Sequence, residues 1–259
     1  MSHLASLGGP RAALAVMPDW PLFGDADRTT LVDVLDSGSW YTGDRVREFE
    51  ESFATYQNAT YGVACTGGTV ALEAIIRASG IGVGDEIITS PYTFIGTCSA
   101  ILKTGAAIRF VDVDPYTSNL DIDEIENAIT PSTRAIMPVH FGGLACDIDR
   151  LTDICEHHDL VMLEDAAHGW GAKYKGKGLG AWGKASGFSF QQSKNITCGD
   201  GGIALTNDEA VADAIGCAVN QGRSRYGMAD PRLQWGGQNI LTLHRFGKAL
   251  CRQHHRIRP

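Results

Sequence analysis

Short apolar runs and longer segments of helical periodicity alternate along most of the chain. Such an alternation is typical of a mostly parallel sheet that is covered by helices. Strands are predicted at 61–65, 86–89, 107–111, 135–139, 160–163, 186–190 and 202–205. Helices are predicted at 25–36, 45–56, 93–103, 121–129 and 147–157, and one more opens at Gly67-Gly68-Thr69. The pattern therefore predicts an α/β fold.

Composition narrows the class of protein without identifying it. The chain has 259 residues, 44% of them hydrophobic, which is enough to bury a substantial core. The formal net charge of −8 argues against a nucleic-acid surface, because phosphates are neutralised by basic groups. No run approaches the roughly 20 apolar residues of a membrane span. The first residues lack the basic start and apolar core of a secretory signal, so a cytoplasmic location is expected.

The seven cysteines do not suggest a metal site or a disulfide framework. They stand far apart, at positions 65, 98, 146, 155, 198, 217 and 251, and none forms a Cys-x-x-Cys pair. Scattered cysteines in odd number favour reduced thiols, so we expect no metal.

A candidate phosphate site follows the first predicted strand. Gly67-Gly68-Thr69 comes directly after that strand and opens a helix. Backbone N–H groups at a helix N-terminus bind phosphate well, and glycine lets the backbone approach closely. The hydroxyl of Thr69 adds a donor. A plain helix cap is the alternative interpretation, since the segment matches neither the Walker pattern nor Gly-x-Gly-x-x-Gly.

Asp165 stands at the carboxyl end of the apolar run Val161-Met162-Leu163. Ligand crevices in open α/β sheets lie at such ends. A carboxylate there could hold the nitrogen of a pyridine ring in its protonated form, whereas the alternative role is a helix cap. His168 is a candidate for stacking on such a ring or for hydrogen bonding its 3′ oxygen, although a structural histidine is the alternative.

Lys194 differs from the lysines that precede it in the sequence. It follows the strand-like Phe188-Ser189-Phe190 and precedes small residues, whereas the others are interpreted as solvated surface around a Gly-rich hairpin. A desolvated lysine has a lowered pKa and serves as nucleophile and proton carrier. A lysine that can form a Schiff base and an aspartate that can hold a pyridinium nitrogen are the two groups that pyridoxal 5′-phosphate (PLP) requires.

These segments resemble those of the DegT/DnrJ/EryC1/StrS family of PLP-dependent aminotransferases, over about residues 20–239. The resemblance extends to segments elsewhere in the chain, and their common order makes the match specific. They include Ser37-Gly38-Ser39-Trp40, Gly82-Val83-Gly84-Asp85-Glu86, Tyr92-Thr93-Phe94, Val111-Asp112-Val113-Asp114, Pro138-Val139-His140-Phe141-Gly142-Gly143 and Glu164-Asp165-Ala166-Ala167-His168.

The resemblance implies the fold and the site. The fold is the large domain of a fold type I (aspartate aminotransferase-like) transferase, with a mostly parallel sheet flanked by helices. Lys194 would carry PLP, and Asp165 would be the partner of the ring nitrogen. The other cofactor-binding residues implied are Gly68, Thr69, Val70 and Ser189 at the phosphate, Phe94 and His168 at the ring, and Asn239, which would reach the neighbouring subunit's phosphate in a homodimer.

The implied reaction moves an amino group from L-glutamate or L-glutamine to a keto-sugar, often nucleotide-linked, or to a keto-cyclitol. Polysaccharide or secondary-metabolite biosynthesis would be its setting. His168 and the segment Phe188-Ser189-Phe190-Gln191-Gln192 look more like the branch of cyclitol aminotransferases and 3-amino-5-hydroxybenzoate synthases. A PLP-dependent dehydratase, a synthase of that kind and an inactive truncated member remain alternatives. Dehydratases with histidine in place of the lysine are excluded by Lys194.

The pattern of the family stops after Asn239. We expect residues 1–239 to form the PLP-binding large domain with its N-terminal helical segment. Residues 240–259 form a basic, divergent tail where the family continues with a small C-terminal domain, so the chain resembles a C-terminally truncated member. The family's active site is shared between two subunits and closed by the small domain. We therefore expect poor activity from the chain as given.

Overall fold

The computed structural model of the protein describes residues 4, 8–10 and 19–222. The chain divides into two compact units, with the boundary between Gly38 and Ser39. The first unit contains helix α1 (Asp25–Ser37), which confirms the helix predicted at 25–36. Gly38 ends this helix with a φ of +66°, a left-handed conformation in which glycine carries no steric cost.

The second unit is built around a seven-stranded sheet. Its strands are β1 (Tyr61–Cys65), β2 (Glu86–Thr89), β3 (Ala107–Phe110), β4 (Thr133–Met137) and β5 (Val161–Asp165), then β8 (Ala185–Ser189) and β9 (Gly202–Thr206). The short strands β6 (Lys173–Tyr174) and β7 (Lys177–Gly178) form a separate antiparallel hairpin. The order across the sheet is β1-β9-β8-β5-β4-β2-β3. Strands β3, β2, β4, β5 and β8 run parallel, while β9 is antiparallel to both of its neighbours, β1 and β8, which confirms the mostly parallel sheet.

Helices connect and cover these strands. They are α2 (Asp44–Tyr56), α3 (Gly68–Ala78), α4 (Ile95–Thr104), α5 (Ile125–Ala128), α6 (Ile148–His157) and α7 (Glu209–Val219). The helical stretch predicted at 121–129 is present in two parts, a 3-10 turn at Ile122–Glu124 followed directly by the single turn of α5. The Asp121 carboxylate accepts from the N–H of Asp123 and so favours the tighter turn.

Two further elements differ from the prediction, one in its bounds and one in its presence. Strand β4 lies two residues earlier than the predicted 135–139, because Pro138 has no N–H to give to the ladder. Helix α7 was not predicted, although Asp208 caps it by accepting from the N–H groups of Ala210 and Val211.

The core lies on both faces of the sheet, since neighbouring strand residues point in opposite directions. Ile87 and Met137 pack in a cluster with residues of α3, α4 and α7. Ile88 and Ile136, their immediate neighbours in the chain, pack in a second cluster with residues of α6. Burial on both faces is what a parallel sheet between two helical layers requires. Within the described residues, no helix has the length and apolar character to cross a membrane.

Candidate active site

A cavity of about 530 Å³ lies at the carboxyl ends of the parallel strands. The segments that follow β1, β2, β4, β5 and β8 all reach this edge, because parallel strands end on the same side of a sheet. The predicted site residues that line the cavity are Gly68, Thr69, Val70, Phe94, Asp165, His168, Ser189 and Lys194. A cavity of this size falls within the range of small-molecule sites, roughly 300–1,000 Å³.

The N-terminus of α3 forms one end of the cavity. Gly67 occupies the cap position, and no side chain caps the helix. The first N–H groups of an α-helix have no acceptor within the helix, so those of Gly68, Thr69 and Val70 are placed to bind an anion from the cavity.

Glycine at position 68 is required by the close approach of β8. A Cβ atom built on Gly68 would lie 2.7 Å from the Cβ of Ser189, which is closer than real Cβ atoms come. Gly96, on the first turn of α4, has the same relation to Thr69, whose Oγ1 would lie 2.7 Å from an added Cβ. Gly68 therefore lets the start of α3 lie against the end of β8, so that Ser189 lines the same cavity, and Gly96 lets the start of α4 lie close to Thr69.

Asp165, the last residue of β5, is 4% exposed and lines the cavity. Its Oδ2 accepts a hydrogen bond from Oγ1 of Thr97 at 2.6 Å, and its Oδ1 accepts from the N–H of Ala167 at 3.1 Å. The bond from Ala167 fits the helix-cap alternative in form, but residues 166–172 contain no helix. The carboxylate is therefore a fixed acceptor at the wall of the cavity.

Lys194 lies on the loop after β8 and is half-buried. Burial lowers the pKa of its ammonium group, while the charge of Asp165 partly opposes the shift. Its Nζ lies 5.7 Å from the centroid of the Trp170 ring. A lysine with a lowered pKa has a larger fraction of neutral, nucleophilic amine near neutral pH. Of the other lysines considered, Lys173, Lys175 and Lys184 are exposed and Lys177 is partly buried, and none of the four lines the cavity.

His168 is held from one side by the backbone. Its Nδ1 lies 3.2 Å from the N–H of Gly142, so this nitrogen is an acceptor and the proton of the neutral ring is on Nε2. Burial and then the positive charge of Lys194 lower the pKa of the imidazole, while Asp165 opposes them. His168 therefore faces the cavity as a neutral ring with an N–H donor.

Phe94 lies at the open side of the cavity. It is 73% exposed and stands at the cap position of α4, where its ring would lie 3.0 Å from a Cβ added to Gly96. The remaining predicted cofactor residue, Asn239, lies outside the described residues, as does the predicted boundary between 239 and 240. Among the residues that the structure describes, no group of three or more His, Cys, Asp or Glu side chains is placed to hold a metal ion.

The sequence reasoning did not identify two residues that support the site. Thr97 bonds the carboxylate of Asp165 from a helix that lies 68 positions away in the chain. Trp170 donates its Nε1–H to the carbonyl of Ser189 at 3.1 Å and places its ring beside Lys194. Only the position of Trp170, close after Asp165, could have drawn attention to it.

A third missed feature lies behind the site. Glu164 is fully buried and is 2.9 Å from Nε2 of His140. Its two oxygens also accept from the N–H groups of Gly180, Trp182 and Gly183. Glu164 therefore ties the loop before β8 to the strand that ends in Asp165.

The residues present fit PLP. The bare N-terminus of α3 and Ser189 suit a phosphate group, and Lys194 suits a covalent bond to an aldehyde carbon. The buried Asp165 suits a protonated pyridine nitrogen. These groups face one cavity from different strands, as a cofactor with separate phosphate, aldehyde and ring nitrogen needs.

Comparison with known proteins identifies the family to which the chain belongs. The pattern that defines the DegT/DnrJ/EryC1/StrS aminotransferase family matches residues 22–239. A spore coat polysaccharide biosynthesis protein of Bacillus subtilis is 42% identical over 205 residues, covering 79% of this chain and 53% of that protein. The L-glutamine:scyllo-inosose aminotransferase of Streptomyces griseus is 42% identical over 218 residues, covering 82% of this chain and 51% of that protein.

A solved structure agrees in fold. The crystal structure of 3-amino-5-hydroxybenzoic acid synthase superposes with a TM-score of 0.78 at 39% sequence identity, covering 82% of this chain and 56% of that one. The chain thus spans about half the length of the curated relatives it matches. The family pattern covers most of the chain, and the identities are well above what fold similarity alone produces. The chain therefore belongs to the DegT/DnrJ/EryC1/StrS aminotransferase family, whose members are PLP-dependent enzymes.

Proposed function

We propose that this chain binds PLP and transfers an amino group from L-glutamate or L-glutamine to the keto group of a sugar, often nucleotide-linked, or of a cyclitol. The observation that carries the proposal is the single cavity onto which Lys194, Asp165 and the start of α3 converge. Similar proteins are named as aminotransferases of cyclitols and as a synthase of GDP-perosamine, which supports this substrate class. Polysaccharide or secondary-metabolite biosynthesis is the setting we propose.

Each residue has a role that follows from its position. Bound PLP supplies an electron sink that stabilises negative charge at the substrate Cα. The N–H groups at the start of α3 and the hydroxyl of Ser189 would bind the phosphate and so orient the ring. Asp165 would hold the proton on the ring nitrogen, because a buried carboxylate beside that nitrogen favours its charged form.

Lys194 has two roles in this proposal. Its Nζ would hold the cofactor covalently in the resting state. Once it is released as a neutral amine, the same Nζ would take the proton from the substrate Cα, and burial favours the neutral form. His168 would direct its Nε2–H towards the ring, and Phe94 would cover the ring from the open side of the cavity and exclude water.

We also propose a homodimer in the cytoplasm, with PLP as the only cofactor and no metal. The support is the resemblance of Gly237-Gln238-Asn239 to a loop that reaches the neighbouring subunit's phosphate. Sedimentation at several concentrations, with and without PLP, tests this part, and a monomer throughout would contradict it.

Absorbance spectroscopy tests the proposed function. The chain is mixed with PLP and the visible band of the bound cofactor is recorded before and after addition of L-glutamate or L-glutamine. We expect the band to form on binding and to be lost when the amino group is transferred. A chain that binds PLP and changes the band only with a non-aromatic cyclic precursor of an aminobenzoate would favour the second candidate, a 3-amino-5-hydroxybenzoate synthase, which the 39% identity to such an enzyme supports. A chain that never forms the band would contradict both.

A further inference from the structure

Two threonine hydroxyls form a chain that ends on Asp165. Thr97, in the first turn of α4, is 1% exposed, and its Oγ1 donates to Oδ2 of Asp165 at 2.6 Å. Oγ1 of Thr93 lies 2.7 Å from Oγ1 of Thr97. Because Thr97 gives its only hydroxyl proton to the carboxylate, Thr93 must be the donor in the second bond.

This direction has an energetic consequence. A hydrogen bond to a carboxylate is stronger than one between neutral groups, and successive bonds in one direction polarise each other. Thr93 therefore strengthens the bond that Thr97 makes. The burial of Thr97 also matters, because a hydroxyl shielded from water has no solvent partner with which to exchange this bond.

The bond fixes the rotation of the carboxylate. Oδ2 is held by Thr97 on α4, and Oδ1 is held by the N–H of Ala167 on the turn after β5. Among the residues that the structure describes, these two groups are the donors to the side chain of Asp165. With one donor on each oxygen, the plane of the carboxylate is set, and the remaining lone pairs are available towards the cavity.

On the basis of the proposed function, we propose that Thr97 is a positioning residue, whose hydroxyl, supported by Thr93, holds the Asp165 carboxylate in the orientation that receives the PLP ring nitrogen. Thr97 acts through Asp165 and needs no contact with the cofactor for this role. Its removal should therefore weaken cofactor binding and also change how the bound cofactor titrates.

The test compares Thr97→Val, which removes the hydroxyl at nearly constant shape, with Thr97→Ser, which keeps it. The PLP dissociation constant and the pH at which the visible band of the bound cofactor is half lost are measured for each. We expect Thr97→Val to bind PLP about tenfold or more weakly, the effect of a lost hydrogen bond to a charged group. We expect the midpoint of Thr97→Val to move to higher pH. When Asp165 is misaligned the ring nitrogen is less positive, so it repels a second positive charge nearby more weakly, and that charge persists to higher pH. Thr97→Ser should stay close to the wild type in both.

Thr104→Val is the matched control. Thr104 is a buried threonine at the other end of α4, roughly 10 Å along the axis, and its hydroxyl donates to the carbonyl of Ile101 at 2.7 Å. This variant should lose thermal stability but keep the PLP affinity and the pH midpoint. If Thr97→Val does not fold, Thr93→Val takes its place, with a severalfold loss of affinity and the same direction of the midpoint shift expected.

The outcomes separate the two proposals. If the wild type binds no PLP, the proposed function fails. If the wild type binds PLP but Thr97→Val, or Thr93→Val in its place, keeps both the affinity and the midpoint, the positioning role is overturned. A Thr97→Ser variant as defective as Thr97→Val would also overturn it, because the hydroxyl would then not be the group that matters.

Discussion

Gly68 and Ser189 come so close that the structure leaves no room for a side chain on the glycine. A Cβ on Gly68 would lie 2.7 Å from the Cβ of Ser189 and 3.2 Å from its Cα. Both atoms are rigid parts of β8, so neither can move aside as the end of a flexible side chain would. The contact sets the separation between the two segments that we propose to bind the cofactor phosphate.

The first prediction concerns this contact. Gly68→Ala should push the start of α3 away from β8 and weaken PLP binding at least tenfold, as measured by fluorescence or absorbance titration. Overpacking of this kind should also reduce the free energy of unfolding by about 1–3 kcal/mol. Gly67→Ala is the comparison, because its added Cβ would have nothing nearer than Oδ1 of Asp200 at 3.5 Å. Equal affinities of the two variants would show that the contact does not shape the phosphate site.

The second prediction concerns Lys194. Reduction of the PLP-bound chain with borohydride, followed by peptide mapping, should label Lys194, and Lys194→Ala should abolish the label. Lys184→Ala, which removes an exposed lysine, should keep it. Label on any of Lys173, Lys175, Lys177 or Lys184 instead would contradict the assignment.

The rate of the same reaction should depend on pH in a defined direction. The neutral amine is the form that attacks, and burial lowers the pKa of Lys194 below the ordinary value of 10.5. The rate of covalent attachment should therefore rise with pH and level off with a midpoint below 10.5. Stopped-flow absorbance over a pH series measures it. A midpoint at or above the ordinary lysine value would show that burial does not activate this amine.

The third prediction concerns Asp165. Asp165→Asn should still bind PLP weakly but lose most transamination, because an amide does not hold the ring nitrogen in its protonated form. The loss of one such electrostatic partner is expected to cost on the order of 3 kcal/mol in transition-state stabilisation, or a hundredfold in kcat. Asp208→Asn is the control, since Asp208 only caps α7. An unchanged kcat in Asp165→Asn would leave Asp165 with a structural role alone.

The sequence was sufficient to predict the elements that carry the site. Strand β5 was predicted from its apolar run, and its end placed Asp165 at the edge where ligands bind parallel sheets. The Gly-Gly-Thr segment predicted the start of α3 from its place directly after the first strand, although the need for glycine at position 68 comes from the close approach of β8. Lys194 differed from its neighbours because it follows a buried strand, and the structure shows it half-buried. The local sequence pattern is enough to predict a site residue when that residue lies at the end of a strand or at the start of a helix, or follows closely after a buried strand.

The residues that were missed are defined by contacts between distant segments. Thr97 meets Asp165 only because α4 and β5 pack side by side, and nothing in the sequence around Thr97 distinguishes it from Thr104 on the same helix. Trp170 supports Ser189 across 19 positions of the chain. Spacing along the chain does not encode such pairs, because they depend on the register between elements rather than on the pattern within one element.

The last prediction concerns Glu164, whose carboxylate receives hydrogen bonds on both oxygens. Oε1 accepts from the N–H groups of Trp182 and Gly183, and Oε2 accepts from Gly180 N–H and lies 2.9 Å from His140 Nε2. Glu164→Gln would turn one oxygen into an NH₂ group that faces two donors. We therefore expect a loss of about 3 kcal/mol or more in the free energy of unfolding, measured by urea denaturation. Glu48→Gln, which alters an exposed pair with Arg45, should cost less than about 1 kcal/mol.

The contribution of Glu164 to the free energy of unfolding should depend on pH in a defined direction. Burial raises the pKa of Glu164, but the hydrogen bond with His140, the attraction of that ring and the N–H groups of Gly183 and Gly180 outweigh it, so the net shift is downward. A carboxyl group with a lowered pKa in the folded state stabilises the fold above its unfolded pKa, ordinarily 4.5, and loses that contribution as the pH falls through its folded pKa. The wild type should therefore exceed Glu164→Gln in stability most at neutral pH and approach it in acid. A difference that stays constant from pH 7 down to pH 3 would show that ionised Glu164 is not what holds the loop before β8 against β5.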